Sequence, residues 1–391
     1  MKHACLFIAA ASSAAWVGLL LARGGFWRVR LDEHLPPPPE AMPSVAAVIP
    51  ARDEADGIAV ALRSLAAQNY DGSLSITLVD DRSTDATAEI ARDIAHGAVR
   101  SIAVEAARDL EPGWTGKLNA LATGVALRAS EGPHYWLFTD GDIAHDPENV
   151  AGLVALAQRD GLDLASLMVR LRCESAWERL LVPAFVFFFA KLYPFAWSND
   201  VRRTTAAAAG GCVLVRAEAL ERIGGLAAIR GELIDDCALA ARVKGSGGRI
   251  WLGWSDRTTS LRSYDDLATI WTMVKRTAFT QLRRSYTITA GTLAGLGLLY
   301  CAPPLLLARG IVARDVRLTL VAAIAIVAQV IAYRPTLRAY ARPTRDALAL
   351  PFAAVLYSAM TVDSAATALA GRHGSWKGRS YAVTSEVLAS V

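Results

Sequence analysis

Ser75-Ile76-Thr77-Leu78-Val79-Asp80-Asp81-Arg82-Ser83-Thr84-Asp85 passes within a few residues from an apolar run to three carboxylates. Ser75–Val79 reads as a strand, and Asp85–Ala95 as the helix that follows it. Upstream, Val45–Ile49 reads as a short buried strand and Gly57–Ala67 as an amphipathic helix. Downstream, Tyr135–Thr139 reads as a further strand ending in acids. Short apolar strands alternating with helices predict an α/β domain with a mainly parallel sheet. Ligands of such sheets bind at the carboxyl ends of the strands, and the acids stand there.

The flanks are of another kind. Of the 391 residues 53% are hydrophobic, and the mean hydropathy is +0.29, high for a soluble enzyme. Charged residues, 20% of the total, concentrate in the middle. Ala4 to Ala22 is an uncharged apolar run about long enough to span a bilayer. A cleaved signal peptide is the alternative; a retained anchor is expected. Arg23, Arg28 and Arg30 come after this run, with only Lys2 and the amino terminus before it. The positive-inside rule then places the residues beyond the run in the cytoplasm. Pro36 to Pro39 give a stiff extended spacer.

Ile288–Ala308, Val316–Tyr333 and Ala347–Ala370 are three more candidate membrane helices. The expected organisation is an anchor at 1–30, a linker at 31–43, a cytoplasmic domain at 44–287, membrane helices at 288–370 and a basic tail at 371–391. Three full spans starting inside would leave that tail outside. Yet Arg372-His373-Gly374-Ser375-Trp376-Lys377-Gly378-Arg379 has the charge of a cytoplasmic segment. Either one segment is re-entrant or the tail breaks the rule.

The net charge of +4 is too mild to argue for nucleic acid, and it suits an anionic membrane face. The 5 cysteines form no Cys-x-x-Cys pair and the 6 histidines no His-Glu-x-x-His, which gives no support to a disulfide framework or zinc hydrolase chemistry.

Three acidic clusters remain. In Asp80-Asp81-Arg82-Ser83-Thr84-Asp85, Ser83 or Thr84 caps the next helix on one reading. On the other, the carboxylates accept bonds from a ribose and a base. In Phe138-Thr139-Asp140-Gly141-Asp142, residues two apart in an extended segment face the same side, so Asp140 and Asp142 can share one Mg²⁺ or Mn²⁺. Gly141 permits close approach of the backbone. Glu232-Leu233-Ile234-Asp235-Asp236 precedes a helical stretch. Its acids either favour the helix dipole or supply a general base, since a carboxylate beside another has a raised proton affinity. Lys117, in Gly113-Trp114-Thr115-Gly116-Lys117, is either a phosphate contact at a helix start or a plain solvated lysine.

Val48-Ile49-Pro50-Ala51-Arg52-Asp53-Glu54, then Val79–Asp85, then Asp140-Gly141-Asp142, then Asp235-Asp236 occur in one order. That order resembles family 2 glycosyltransferases with the GT-A, or nucleotide-diphospho-sugar transferase, fold, over roughly residues 44 to 285. The anchor, the trailing apolar segments and Trp376-Lys377-Gly378-Arg379 look most like the hopanoid-biosynthesis-associated branch. Ceramide and carotenoid glycosyltransferases are looser relatives in layout. The resemblance implies an inverting enzyme that takes a nucleotide-sugar donor. Pro50, Arg52, Glu54 and Asp81 would line the nucleotide pocket, and Lys117 would approach the diphosphate. Asp140 and Asp142 would form the divalent-metal motif, and Gly210, Gly211 and Cys212 would border the acceptor. Asp236 would be the base. The family has Glu-Asp where this chain has Asp235-Asp236, which leaves the choice between the two acids open. Processive members carry Gln-x-x-Arg-Trp. Here Gln281-Leu282-Arg283-Arg284-Ser285 keeps Gln281 and Arg284 near the membrane but lacks the tryptophan, which disfavours a polysaccharide synthase. A non-catalytic membrane scaffold is the third reading, disfavoured by the retained acids.

Leu180–Ala190 is very apolar, with Phe185, Phe187, Phe188 and Phe189 between Arg179 and Lys191. It reads as too short to span, and as either a core helix or a helix lying in the membrane interface. Ile270–Arg284 is a second such element. An interfacial helix would bring a lipid acceptor to the site of an inner-membrane, multi-pass enzyme.

Overall fold

A computed structural model describes residues 2–31, 36 and 42–370, together with the backbone of 375–376 and 379–380. These form two compact bodies. One contains residues 30–172 and 197–263, with the short pairing of 375–376 and 379–380; the other contains 2–29, 173–196 and 264–370.

The first body holds an eight-stranded sheet. Its strands are β1 (Val45–Ala51), β2 (Leu74–Asp80), β3 (Ile102–Ala106), β4 (Tyr135–Thr139), β5 (Ile143–Ala144), β6 (Leu164–Arg170), β7 (Cys212–Arg216) and β8 (Ile250–Ser260). Their order is β3-β2-β1-β4-β7-β6-β8-β5. The first four neighbours run parallel, as do β6 and β8. β7 lies antiparallel to both β4 and β6, and β5 antiparallel to β8, so the sheet is mostly parallel but mixed. In chain order the helices are α1 (Lys2–Ala22), α2 (Ile58–Ala66), α3 (Thr87–Gly97), α4 (Gly116–Arg128), α5 (Asn149–Asp160), α6 (Ala176–Leu192), α7 (Phe195–Ser198), α8 (Ala217–Arg222), α9 (Asp235–Gly245), α10 (Leu267–Gln281), α11 (Tyr286–Leu296), α12 (Ala302–Val312), α13 (Val316–Ala339) and α14 (Leu350–Leu369).

β1 is buried along its whole length, as expected of a strand covered on both faces. Val45, Ala47 and Ile49 share a core with Ile58 and Leu62 of α2 and Val150 of α5. Ala46 and Val48 share the opposite core with Leu118 and Leu121 of α4 and Leu239 of α9. The two-residue period of a strand thus sorts its side chains into two helical layers. α4 packs very close to the sheet. A Cβ at Gly124 would stand 2.3 Å from Val48 Cγ1, which only glycine avoids.

In the second body Trp16, Phe187, Tyr300, Tyr333, Tyr357 and Met360 belong to one core. α11 and α12 continue one another through a π turn at Gly297–Cys301. Pro303, just beyond, has no N–H to offer the carbonyl of Leu299 four residues back. The Trp16 indole donates to that carbonyl instead, at 2.8 Å. This matters in apolar surroundings, where an unpaired carbonyl is costly.

Among the described residues five helices are long and apolar enough to cross a membrane: Lys2–Ala22, Ala176–Ser198, Tyr286–Val312, Val316–Ala339 and Thr344–Leu369. The second was not expected. Leu180–Ala190 is only the middle of α6, which starts earlier because Ser175 and Glu178 form a capping box. Ser175 Oγ accepts from Glu178 N at 3.1 Å, and a Glu178 carboxylate oxygen accepts from Ser175 N at 2.8 Å. Residues 173–196 and 264–287, within the expected 44–287 domain, pack in this second body. Pro37 to Pro39 of the spacer, and the tail apart from a short antiparallel pairing of Ser375–Trp376 with Arg379–Ser380, lie outside the described residues.

Candidate active site

β1 is followed by β2 on one side of the sheet and has β4 on the other. Such a switch in strand order opens a crevice beyond the carboxyl ends of the strands. A cavity lies here, lined by Pro50 of β1, Asp140 just after β4, Lys117 of α4, Gly210 ahead of β7, and Asp235 and Asp236 at the start of α9. Sequence positions separated by nearly half the chain therefore meet in one place.

Lys117 is the hub. Thr115 caps α4, accepting from Leu118 N, and sets the helix start. Lys117 Nζ stands 2.9 Å from Asp140 Oδ1 and 3.1 Å from Asp235 Oδ2. Burial alone would lower the proton affinity of this ammonium. The charges of Asp140, Asp235 and Asp236 outweigh burial and hold it above its usual value. It is not a plain solvated lysine. Asp236 is held differently. Burial first, and the Asp235 charge next, raise it to about 6, with Lys117 and the N–H groups of Cys237 and Gly210 limiting the rise. The Cys237 N–H donates to Asp236 Oδ1 at 2.7 Å. A Cβ at Gly210 would come within 3.2 Å of Asp236 Oδ2 and 3.3 Å of Lys117 Nζ, so a side chain there would intrude between them.

The first acidic cluster is used mainly to join two loops. Asp53 and Arg82, at the ends of β1 and β2, both take left-handed backbone conformations, with φ of 50° and 56°. Asp53 Oδ1 accepts from Thr84 N at 2.6 Å, and Ala55 N donates to Asp85 Oδ2 at 3.1 Å. Ser83 N–H and hydroxyl both face the Asp80 carboxylate. Asp81 is only 1% exposed, and the Arg52 guanidinium lies 3.8 Å from its Oδ2 while donating to the Asp81 carbonyl. In this conformation Arg52 stands over Asp81.

Asp140 and Asp142 do not share a partner. Asp140-Gly141-Asp142 is a turn, not an extended segment, so the expected same-side alternation is lost. Asp140 faces Lys117. Asp142, 7% exposed, accepts from Ser260 Oγ at 2.9 Å and from Arg262 Nε at 3.3 Å. Arg262 also reaches both carboxylate oxygens of Glu54, at 2.8 and 3.0 Å. Arg262 carried no signal in the sequence, because its acidic partners are 120 and 208 positions away. Arg262→Ala should lower stability by about 1–3 kcal/mol, since two largely buried carboxylates lose a donor. Thermal unfolding reads this, and an unchanged midpoint overturns it. The turn is braced from below. Thr139 Oγ1 donates to the Gly211 carbonyl at 2.8 Å and lies 2.9 Å from His145 Nε2. Burial pushes His145 down to about 3, so it is neutral.

Of the residues expected at the acceptor, only Gly210 lines the cavity. A Cβ on Gly211 would meet Val169 and Ile143. Cys212 is fully buried in the sheet core, its thiol pushed up to about 12 by burial. Both face packing rather than open space. Gln281 and Arg284 belong to the second body, where Gln281 Nε2 donates to Tyr193 Oη.

Among the described residues no three His, Cys, Asp or Glu side chains are grouped so as to hold a metal ion by themselves. Asp140 and Asp235 do converge on one cationic point, now the Lys117 ammonium. Their hard oxygens suit Mg²⁺ or Mn²⁺, ions commonly held by one or two carboxylates with phosphate and water completing the shell. On those terms the donor set fits.

The strand order and the crevice define a GT-A fold. Residues 46–224 match the family described as Glycosyl transferase family 2. A mannosyltransferase from Pyrobaculum calidifontis, solved with GDP-mannose and Mn²⁺, is 19% identical, with 92% of this chain and 99% of that chain covered at a TM-score of 0.53. Mannosyl-3-phosphoglycerate synthase from Rubrobacter xylanophilus is 17% identical over 63% of this chain and 75% of that one, at a TM-score of 0.39. Glucosyl-3-phosphoglycerate synthase from Mycobacterium tuberculosis, solved with Mn²⁺, UDP-glucose and phosphoglyceric acid, is 19% identical over 62% and 79%, also at 0.39. No curated protein matches the sequence significantly.

Proposed function

We propose that this chain is an inverting, membrane-bound glycosyltransferase that moves a sugar from a UDP- or GDP-type donor to a lipid hydroxyl, with a hopanoid as the leading acceptor. The observation that carries the reading is the cavity in which Asp236, with raised proton affinity, stands beside Asp235, Lys117 and Asp140. A carboxylate near 6 is mostly ionised at neutral pH yet basic enough to take the acceptor hydroxyl proton as oxygen attacks the anomeric carbon. One displacement of this kind inverts the configuration. Asp235 is the weaker candidate, because its carboxylate is already paired with Lys117.

The leaving diphosphate is the group Lys117 is placed to meet. Asp140, with Asp235 facing the same point and Asp142 joining once released from Arg262, would hold a divalent ion. When bound, that ion supplies charge neutralisation for the diphosphate. Pro50, Arg52, Glu54 and Asp81 belong to the donor side on this reading, Arg52 moving off Asp81 as the nucleoside enters. The apolar helices support a lipid acceptor, and the layout of anchor, trailing helices and tail supports the hopanoid branch. The same charge pattern favours an inner-membrane enzyme with its transfer domain in the cytoplasm. A panel of labelled nucleotide-sugars is to be incubated with the protein and extracted membrane lipids, hopanoids included. Transfer of label to one lipid class is expected; label appearing only in long polymer, or nowhere, overturns the proposal.

A further inference from the structure

α6 and α7 together, Ala176–Ser198, are long and apolar enough to cross a membrane, but the connectivity forbids it. The chain leaves the first body after residue 172 and returns to it at 197. β6, before that excursion, hydrogen-bonds directly to β7, after it. One sheet cannot be divided between two sides of a bilayer, so both ends of α6 emerge on the same side. α10 begins shortly after residue 263, where the first body ends. At 15 residues it is shorter than the helices able to span, and it carries Lys275 and Arg276 midway. It therefore stays on that side as well.

α14 is bonded to both of these helices. Tyr357 Oη donates to the Leu181 carbonyl of α6 at 2.8 Å. Lys275 Nζ of α10 pairs with Asp363 Oδ1 at 2.9 Å, and Trp271 Nε1 donates to Asp363 Oδ2 at 2.8 Å. Ser364 Oγ donates to the Lys275 carbonyl at 2.6 Å and accepts from Phe279 N at 3.0 Å. If α14 crossed the bilayer, Asp363 would lie about 20 Å along it from Leu350, toward the far leaflet. Its partners on α10 are confined to the near one.

We propose that α14 does not cross. With α6 and α10 it forms a platform embedded in one leaflet, its exposed Phe352, Val355, Val362 and Leu369 facing lipid. α1, α11–α12 and α13 are the crossing segments. The carboxyl-terminal tail then emerges on the side of the sugar-transfer body. An independent pattern agrees: Arg372, Lys377 and Arg379 fall on the same side as Arg23, Arg28 and Arg30.

The inference rests on the membrane reading, and the test separates the two. Cysteines are introduced singly by Val99→Cys in the sugar-transfer body, Ala313→Cys between α12 and α13, and Val391→Cys. Each is treated with a membrane-impermeant maleimide in sealed vesicles of either orientation, with the unaltered chain as blank. Cysteines at 99 and 391 should label in the same orientation and lose labelling in the other, and that at 313 should do the reverse. Labelling of 391 together with 313, or of all three together, overturns the proposal. Release of the unlabelled chain by alkaline carbonate would instead overturn the membrane reading itself.

Discussion

Asp236→Asn should reduce sugar transfer by about 10²–10⁴-fold, the usual contribution of a positioned base, while donor binding is retained. Asparagine preserves the shape of the side chain and can still accept from the Cys237 N–H, but it cannot take a proton. The parent rate should climb with pH through about 6 as Asp236 ionises, and the residual rate of the variant should lack that limb. Stability moves the other way. The folded state raises the proton affinity of Asp236 above the unfolded value near 4. Between those two values the folded chain binds more protons than the unfolded one, so stability falls as pH rises. Above about 6 the cost is fully present; below about 4 it is absent. Asp236→Asn should therefore unfold at a higher temperature than the parent at pH 7.5 and at a similar temperature at pH 4. Undiminished transfer by this variant would place the base elsewhere, with Asp235 next in line.

Lys117→Met should weaken donor binding by about 10²-fold or more. Removing one member of a desolvated charge group commonly costs about 2–5 kcal/mol, and about 1.4 kcal/mol is tenfold in affinity. Methionine fills similar space without charge, so Asp140, Asp235 and Asp236 are left facing one another. Asp236 then loses the charge that limits its rise, and the ascending limb of the pH profile should shift to higher pH. Titration of donor binding and the pH dependence of transfer read the two effects separately. A lysine that was merely solvated would move neither, and a variant with parental donor affinity and profile would remove Lys117 from the site.

Local chemistry in the sequence determined a good deal of this protein. Val45–Ile49, Ser75–Val79 and Tyr135–Thr139 are apolar runs of strand length, and each lies inside a strand of the sheet. The helices at both ends could be read because twenty apolar residues in succession have few other fates. The acids after β1, β2 and β4 stand at strand ends because a carboxylate cannot continue a buried strand without a partner. Sequence order alone also linked Lys117, Asp140 and Asp236, through the family resemblance.

Tertiary structure decided which of these groups meet. Asp140 and Asp142 are two positions apart, yet a turn sends them to Lys117 and Arg262 respectively. Arg262 finds Glu54 across 208 positions, a pairing that no local window contains. Asp81 reads as a ligand group in the chain but lies buried beside Arg52. Ala176–Ser198 has the length and hydropathy of a span, yet the strands before and after it are paired in one sheet, which no local window reveals. Hydrophobicity and backbone propensity act over a few neighbours and are written locally. Charge pairing and sheet closure act through space, and they exist only once the chain has folded.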